Sequence, residues 1–166
     1  MLDALRVNEL SVGPRSRLYL GDCLDTLELL PDNSVDCILT DPPYGINYRS
    51  RSHSLPLTRI DNDDQRAYSL LDQALEIAWY KLKPDRHVYI FTNWQAFEAM
   101  APIVRKHFTL KGAMAWVKNN RTRGDLKGNY GYQYEMILFA HKGRRWLFGK
   151  RDGDVLQFDK VPSNYM

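Results

Sequence analysis

Val35-Asp36-Cys37-Ile38-Leu39-Thr40-Asp41-Pro42-Pro43-Tyr44 is the stretch from which the fold follows. Its first half, Val35 to Leu39, is a short apolar run, the pattern of a buried strand of about 5–6 residues. An acid, two prolines and an aromatic then end it abruptly. Successive prolines fix φ and lack an N–H, so pairing stops and the chain leaves the sheet stiff and extended. A carboxylate (Asp41), backbone carbonyls and an aromatic face (Tyr44) are thereby held at the carboxyl end of a strand. Open α/β sheets bind their ligands there.

Such a cluster suits the activation of a weak nitrogen nucleophile. The exocyclic amine of a nucleobase is planar, because its lone pair is delocalised into the ring. Hydrogen bonds from that amine to a carboxylate and a carbonyl favour a tetrahedral nitrogen whose lone pair can attack. An aromatic ring stacked on the base holds it, at about 1–3 kcal/mol per base. The alternative is an ordinary strand-ending turn that happens to contain Pro-Pro. At average composition this tetrapeptide arises by chance in a chain of this length on the order of once in a thousand times.

Asp41-Pro42-Pro43-Tyr44 resembles the catalytic motif of amino-methylating DNA methyltransferases, which act on adenine N6 or cytosine N4. Leu18-Tyr19-Leu20-Gly21-Asp22-Cys23-Leu24 lies upstream, and Pro31-Asp32-Asn33-Ser34-Val35-Asp36 leads into the strand. The arrangement is similar to the permuted β-class branch, in which the catalytic motif precedes the cofactor motif. The likeness runs from about Arg17 to the C-terminus and is strongest before Tyr48. It implies S-adenosylmethionine as cofactor, double-stranded DNA as partner and a target base flipped out of the duplex. It further implies that Asp41, Pro42, Pro43 and Tyr44 are catalytic, with Asp41 ionised, so that activity falls on acidification. Aspartate at position 41 points to adenine N6, since relatives acting on cytosine N4 more often carry serine there. Cytosine is the second choice.

For the cofactor, the resemblance implies Asp22, Cys23 and Asp41. Asp22 would accept a hydrogen bond from the cofactor's adenine, and Cys23 would line the pocket through its backbone. An equally good role for Asp22 is to cap a helix.

Bulk properties fit one soluble domain. The chain has 166 residues, 44% hydrophobic and 26% charged, with a net charge of +3. That charge is too mild to imply nucleic acid on its own. No apolar run approaches the roughly 20 residues of a membrane span, and no signal-peptide pattern is present. Cys23 and Cys37 are too few for a disulfide framework or a zinc site. They read as free thiols in a reducing cytoplasm, and no metal is expected.

In chain order, Met1 to Pro14 reads as a loosely attached leader and Arg17 to Leu20 as a short strand. A helix through Leu24, Leu27 and Leu30 is ended by Pro31. The stripe Ala67, Leu70, Leu71, Ala74, Leu75, Ala78 and Leu82 predicts a helix over 63–83, closed by Pro84. His87 to Thr92 reads as a buried strand. Asn93 caps a helix carrying Phe97, Met100 and Val104, which Pro102 should kink or split. Leu110 to Lys118 and Gln133 to His141 are two further strands. Trp146-Leu147-Phe148 and Val155 to Phe158 read as short strands with turns at Gly149 and Gly153.

Two loops carry the expected DNA contacts. Residues 45–64 lack apolar periodicity and hold Arg49, Arg51 and Arg59. A loop that long inside a domain is usually functional or disordered. Residues 119–132 interleave Arg121, Arg123 and Lys127 with glycines and with Tyr130 and Tyr132, as contact with phosphates and bases requires. A solvated loop remains the alternative for each. Trp116-Val117-Lys118 and Glu135 fall near the catalytic pocket of the resembling family.

The fold expected from the resemblance is α/β. It is a Rossmann-like S-adenosylmethionine-dependent methyltransferase domain over 1–166, with an open, largely parallel twisted sheet. It should be incomplete, because the His-Pro-Thr-x-Lys-Pro and Phe-x-Gly-x-Gly segments of the family are absent. Two central strands would then be missing between the strand ending at Gly21 and the strand ending at Asp41. Either those strands pair directly, or a second chain or a second copy completes the cofactor site. A silent DNA-binding remnant is the competing reading.

Overall fold

The structure is a computed structural model that describes residues 8–13, 16–47, 60–120, 127–144, 146–147, 149 and 151–159. It opens on an antiparallel hairpin of β1 (Asn8–Gly13) and β2 (Ser16–Leu20), with Asn8 opposite Leu20. Residues 8–13 of the expected loose leader therefore form one strand of a hairpin. Leu10 and Val12 alternate with polar residues in the sequence, the period of a strand. A short helix, α1 (Cys23–Glu28), follows.

The main sheet has five strands in the order β3-β4-β6-β5-β7. These are β3 (Val35–Thr40), β4 (Leu82–Thr92), β5 (Thr109–Lys118), β6 (Tyr134–Lys142) and β7 (Val155–Phe158). The β3–β4 and β5–β7 pairs are parallel, whereas β6 runs against both β4 and β5. Four strands thus share one direction, and the sheet is open and largely parallel. Trp146 and Leu147 lie outside any strand, so the expected strand there is not formed.

Two helices cover one face. α2 (Arg66–Lys81) and α3 (Phe97–His107) bury Leu71, Leu75, Met100 and Val104 against Val88, Ile90, Leu138 and Ala140 of the sheet. The stripe read from the sequence is the stripe that packs. Asp72 ties the two helices together through the Lys106 ammonium at 2.7 Å and His107 Nε2 at 2.6 Å.

Pro84 and Pro102 sit inside elements and not at their ends. α2 stops at Lys81 and β4 begins at once, so Pro84 lies inside the strand. Pairing with β3 is interrupted there, from Val35↔Leu82 to Cys37↔His87, and Asp85 has φ +55°. A proline is tolerated at such a bulge because no ladder N–H is needed. Pro102 sits within α3, which stays one helix of 11 residues. It forfeits one backbone bond on an exposed side of the helix, while Met100, Ala101 and Val104 hold the buried side.

The strands ending at Leu20 and Thr40 do not pair directly: β2 bonds only β1, and β3 bonds only β4, among the described residues. The outer edge of β3 carries Leu39, 68% exposed. The sheet face opposite the helices bears a ladder of rings, with His87, Tyr89, Phe139 and His141 spaced 5.2–6.5 Å apart.

Candidate active site

The start of β3 is set by a clamp to the end of α2. Asn33 and Ser34 donate backbone N–H groups to the carbonyls of Tyr80 and Lys81, and the half-sequestered Lys81 ammonium reaches Asp32 at 2.9 Å. Lys83 and Arg86 hold Asp36 at 2.7 and 3.1 Å, which keeps that carboxyl below its usual pKa. β3 then runs beside β4 and ends at Thr40, opposite Ile90.

Residues 41–44 leave the sheet without regular secondary structure. Asp41 is exposed, and its Oδ1 accepts a hydrogen bond from the Tyr44 hydroxyl at 2.7 Å. The Tyr44 ring is half-buried against the core cluster. Burial first, then the bond to Asp41 and the negative charges of Asp41 and Glu135, push the Tyr44 pKa well above its ordinary value. The phenol therefore stays protonated and serves as a donor.

Three further groups set the corner. The Tyr68 hydroxyl donates to the Tyr44 carbonyl at 3.1 Å. Asp63, only 5% exposed, accepts from the Gly45 N–H at 2.7 Å and the Ile46 N–H at 3.3 Å through one oxygen. Gly45 has φ +73°, and a Cβ there would lie 2.8 Å from Tyr68 Cζ, so the position requires glycine.

Topology brings other groups to the same end of the sheet. β3, β4 and β5 finish there and β6 begins there, which gathers Thr92–Trp94, Trp116–Lys118 and Tyr134–Glu135 around the corner. Lys118 and Glu135 form an ion pair across β5 and β6. The Lys118 ammonium also sits 4.7 Å from the Trp116 ring, whose other neighbour is Phe91. The Trp116 indole N–H is buried without an acceptor. Trp94 is 52% exposed, with its ring 6.2 Å from that of Tyr132. Sequence reasoning passed over Trp94, Asp63 and Tyr68. Nothing marked them except proximity to an element end, and their partners are distant in sequence.

Asp22 and Cys23 belong to the hairpin unit. Asp22 is the N-cap of α1 and accepts from the Leu24 N–H at 2.8 Å. Cys23 is the first residue of α1, and shielding of its sulfur, helped by the Asp22 charge, pushes the thiol pKa up. The groups a cofactor could meet are therefore split between the chain after β2 and the chain after β3, which share no sheet among the described residues. Lys127 lies in the turn before β6, with Tyr130 beside it 92% exposed. Arg49, Arg51, Arg59, Arg121 and Arg123 fall outside the described residues. No group of three or more His, Cys, Asp or Glu among the described residues is arranged to hold a metal. No described helix is long and apolar enough to cross a membrane.

A family model described as "DNA methylase" matches residues 35–165. A putative methylase, YubD, of Escherichia coli (strain K12) is 30% identical over 142 residues, covering 85% of this chain and 59% of that protein. The chain thus spans somewhat over half the length of this curated relative. Among solved structures, PvuII DNA methyltransferase (cytosine-N4-specific) superposes with a TM-score of 0.65 at 15% identity, over 87% of this chain and 57% of that one. The complex of M1.HpyAVI with SAM gives 0.56 at 20% identity, over 86% and 65%. Both likenesses concern the fold.

Proposed function

The chain belongs to the N6/N4 DNA methylase family, and from that premise we propose that it is the catalytic portion of an adenine-N6 DNA methyltransferase. The observation that carries this reading is the exposed Asp41 carboxylate at the end of β3, oriented by the Tyr44 hydroxyl at 2.7 Å. Its second oxygen takes no hydrogen bond among the described residues, so it suits an amine donor. The Pro42 carbonyl offers a second acceptor. The exposed side of the Tyr44 ring, with Trp94 near the same sheet end, offers stacking for a base turned out of the duplex. Fixing the amine in line for attack is worth about 7–11 kcal/mol in favourable cases. S-adenosylmethionine, when bound, supplies the activated methyl group.

Cofactor binding, on this reading, is completed at the free edge of β3. Among the described residues β3 bonds only β4, so its other edge is free, and Leu39 near its end is exposed. A further stretch of polypeptide pairing with that edge would bridge β3 to the Asp22 unit. Such a stretch accords with the length that YubD has beyond this chain. The basic residues Arg49, Arg51, Arg121, Arg123 and Lys127 are proposed to contact DNA phosphates.

The test is transfer of label from S-adenosylmethionine to DNA, followed by digestion to nucleosides. N6-methyladenine is expected from the wild type and at least about 10²-fold less from Asp41→Ala. Label in N4-methylcytosine would reassign the base. Undiminished transfer by Asp41→Ala would remove that residue from the mechanism.

A further inference from the structure

We infer that Asp63 is a positioning residue for the amino-methylating corner, an inference that rests on the function proposed above. Asp63 is 18 residues from Gly45 in sequence, yet one of its oxygens accepts two consecutive N–H groups, those of Gly45 and Ile46, at 2.7 and 3.3 Å. Its backbone takes part as well, the carbonyl accepting from the Asn47 N–H at 2.6 Å. A buried carboxylate that collects backbone donors makes short, charge-assisted bonds and fixes the direction of the chain that supplies them. Here that chain is the continuation of Asp41–Tyr44. The two prolines stiffen the approach to Tyr44 but place no restraint after it. Gly45, with φ +73°, is the first residue able to swing. Asp63 restrains that swivel from one side, and the Tyr68 hydroxyl on the Tyr44 carbonyl restrains it from the other.

Asp63 touches neither substrate nor reacting atom. Its influence on chemistry passes through the setting of Tyr44, whose hydroxyl orients Asp41. A misplacement of about 1 Å at a reacting group costs on the order of 10²-fold in rate. Loss of the acceptor should therefore appear in kcat rather than in KM for S-adenosylmethionine. Asparagine at this position keeps an oxygen of similar reach, so the geometric role predicts rescue by Asp63→Asn.

The experiment compares wild type, Asp63→Ala and Asp63→Asn in the full 166-residue chain, by amide hydrogen exchange at Gly45 and Ile46 and by methyl transfer. Expected for Asp63→Ala is exchange at both amides at least 10-fold faster, with kcat lower by about 10²-fold and an unchanged KM for S-adenosylmethionine. Asp63→Asn should stay within 10-fold of wild type on both. Unchanged protection of Gly45 and Ile46 in Asp63→Ala overturns the inference. So does an equal loss in the alanine and asparagine variants, which would mark a need for charge or a global loss of fold. The exchange arm needs no turnover. If the 166-residue chain transfers no methyl because its cofactor site needs further polypeptide, the exchange data alone decide whether Asp63 holds the corner.

Discussion

Asp41 and Tyr44 form a unit in which the phenol is the donor and the carboxylate the acceptor, held at 2.7 Å. The raised pKa of the phenol, caused first by burial, keeps it a donor at neutral pH. On the proposed function Tyr44 has two separable roles, a ring for the base and a hydroxyl for Asp41. Tyr44→Phe keeps the ring and should lower methyl transfer by less than about 10-fold, since the lost bond lies at an exposed carboxylate. Tyr44→Ala removes both and should cost about 10²-fold, the scale of one lost stacking contact plus misorientation. Steady-state kinetics on the two variants check this. Equal losses would move the weight from stacking to the hydroxyl.

At the scale of elements, α2 and α3 act as a single slab behind the site. α2 carries Tyr68 and the clamp onto the start of β3, and α3 begins just after Trp94. The join between them is polar as well as apolar, with Asp72 bonded first by Lys106 and then by His107, and these bonds lower the Asp72 pKa below 3.8. A depressed carboxylate pKa adds stability that is present above its unfolded value and lost as pH falls through the folded one. The clamp is therefore expected to hold at neutral pH and to fail in the acid range below 3.8. Asp72→Asn should lower Tm modestly at pH 7 and by progressively less as pH falls below 3.8, which thermal melts across the acid range would show. The helix periodicities were legible because α2 and α3 each pack one face. The ends were not, since Pro84 and Pro102 are accommodated by a bulge and by an exposed turn that local rules do not foresee.

For the molecule as a whole, β3 and β7 are the edge strands of the main sheet, and α2 and α3 cover one of its faces among the described residues. An edge strand with an exposed leucine near its end is an invitation to association. Leu39→Lys should leave the stability of the isolated chain within about 0.5 kcal/mol, because the side chain packs on nothing extensive. The same change should weaken S-adenosylmethionine binding if the edge is where further polypeptide completes the pocket. Denaturant unfolding and calorimetry measure the two effects separately.

What the amino-acid order determined by itself was local and chemical: the acid, prolines and tyrosine after an apolar strand, the helical stripes, and an α/β domain in which the proposed catalytic motif lies early. These are read from neighbours in the chain, where sterics and periodicity act directly. Only the tertiary structure decided that Tyr44 donates to Asp41 rather than merely presenting a ring. It also placed Asp63 and Tyr68 around Gly45, made a hairpin of the expected leader, and kept β2 apart from β3. Each of those outcomes depends on contacts between residues far apart in the chain, and their energies appear only once packing has brought the partners together.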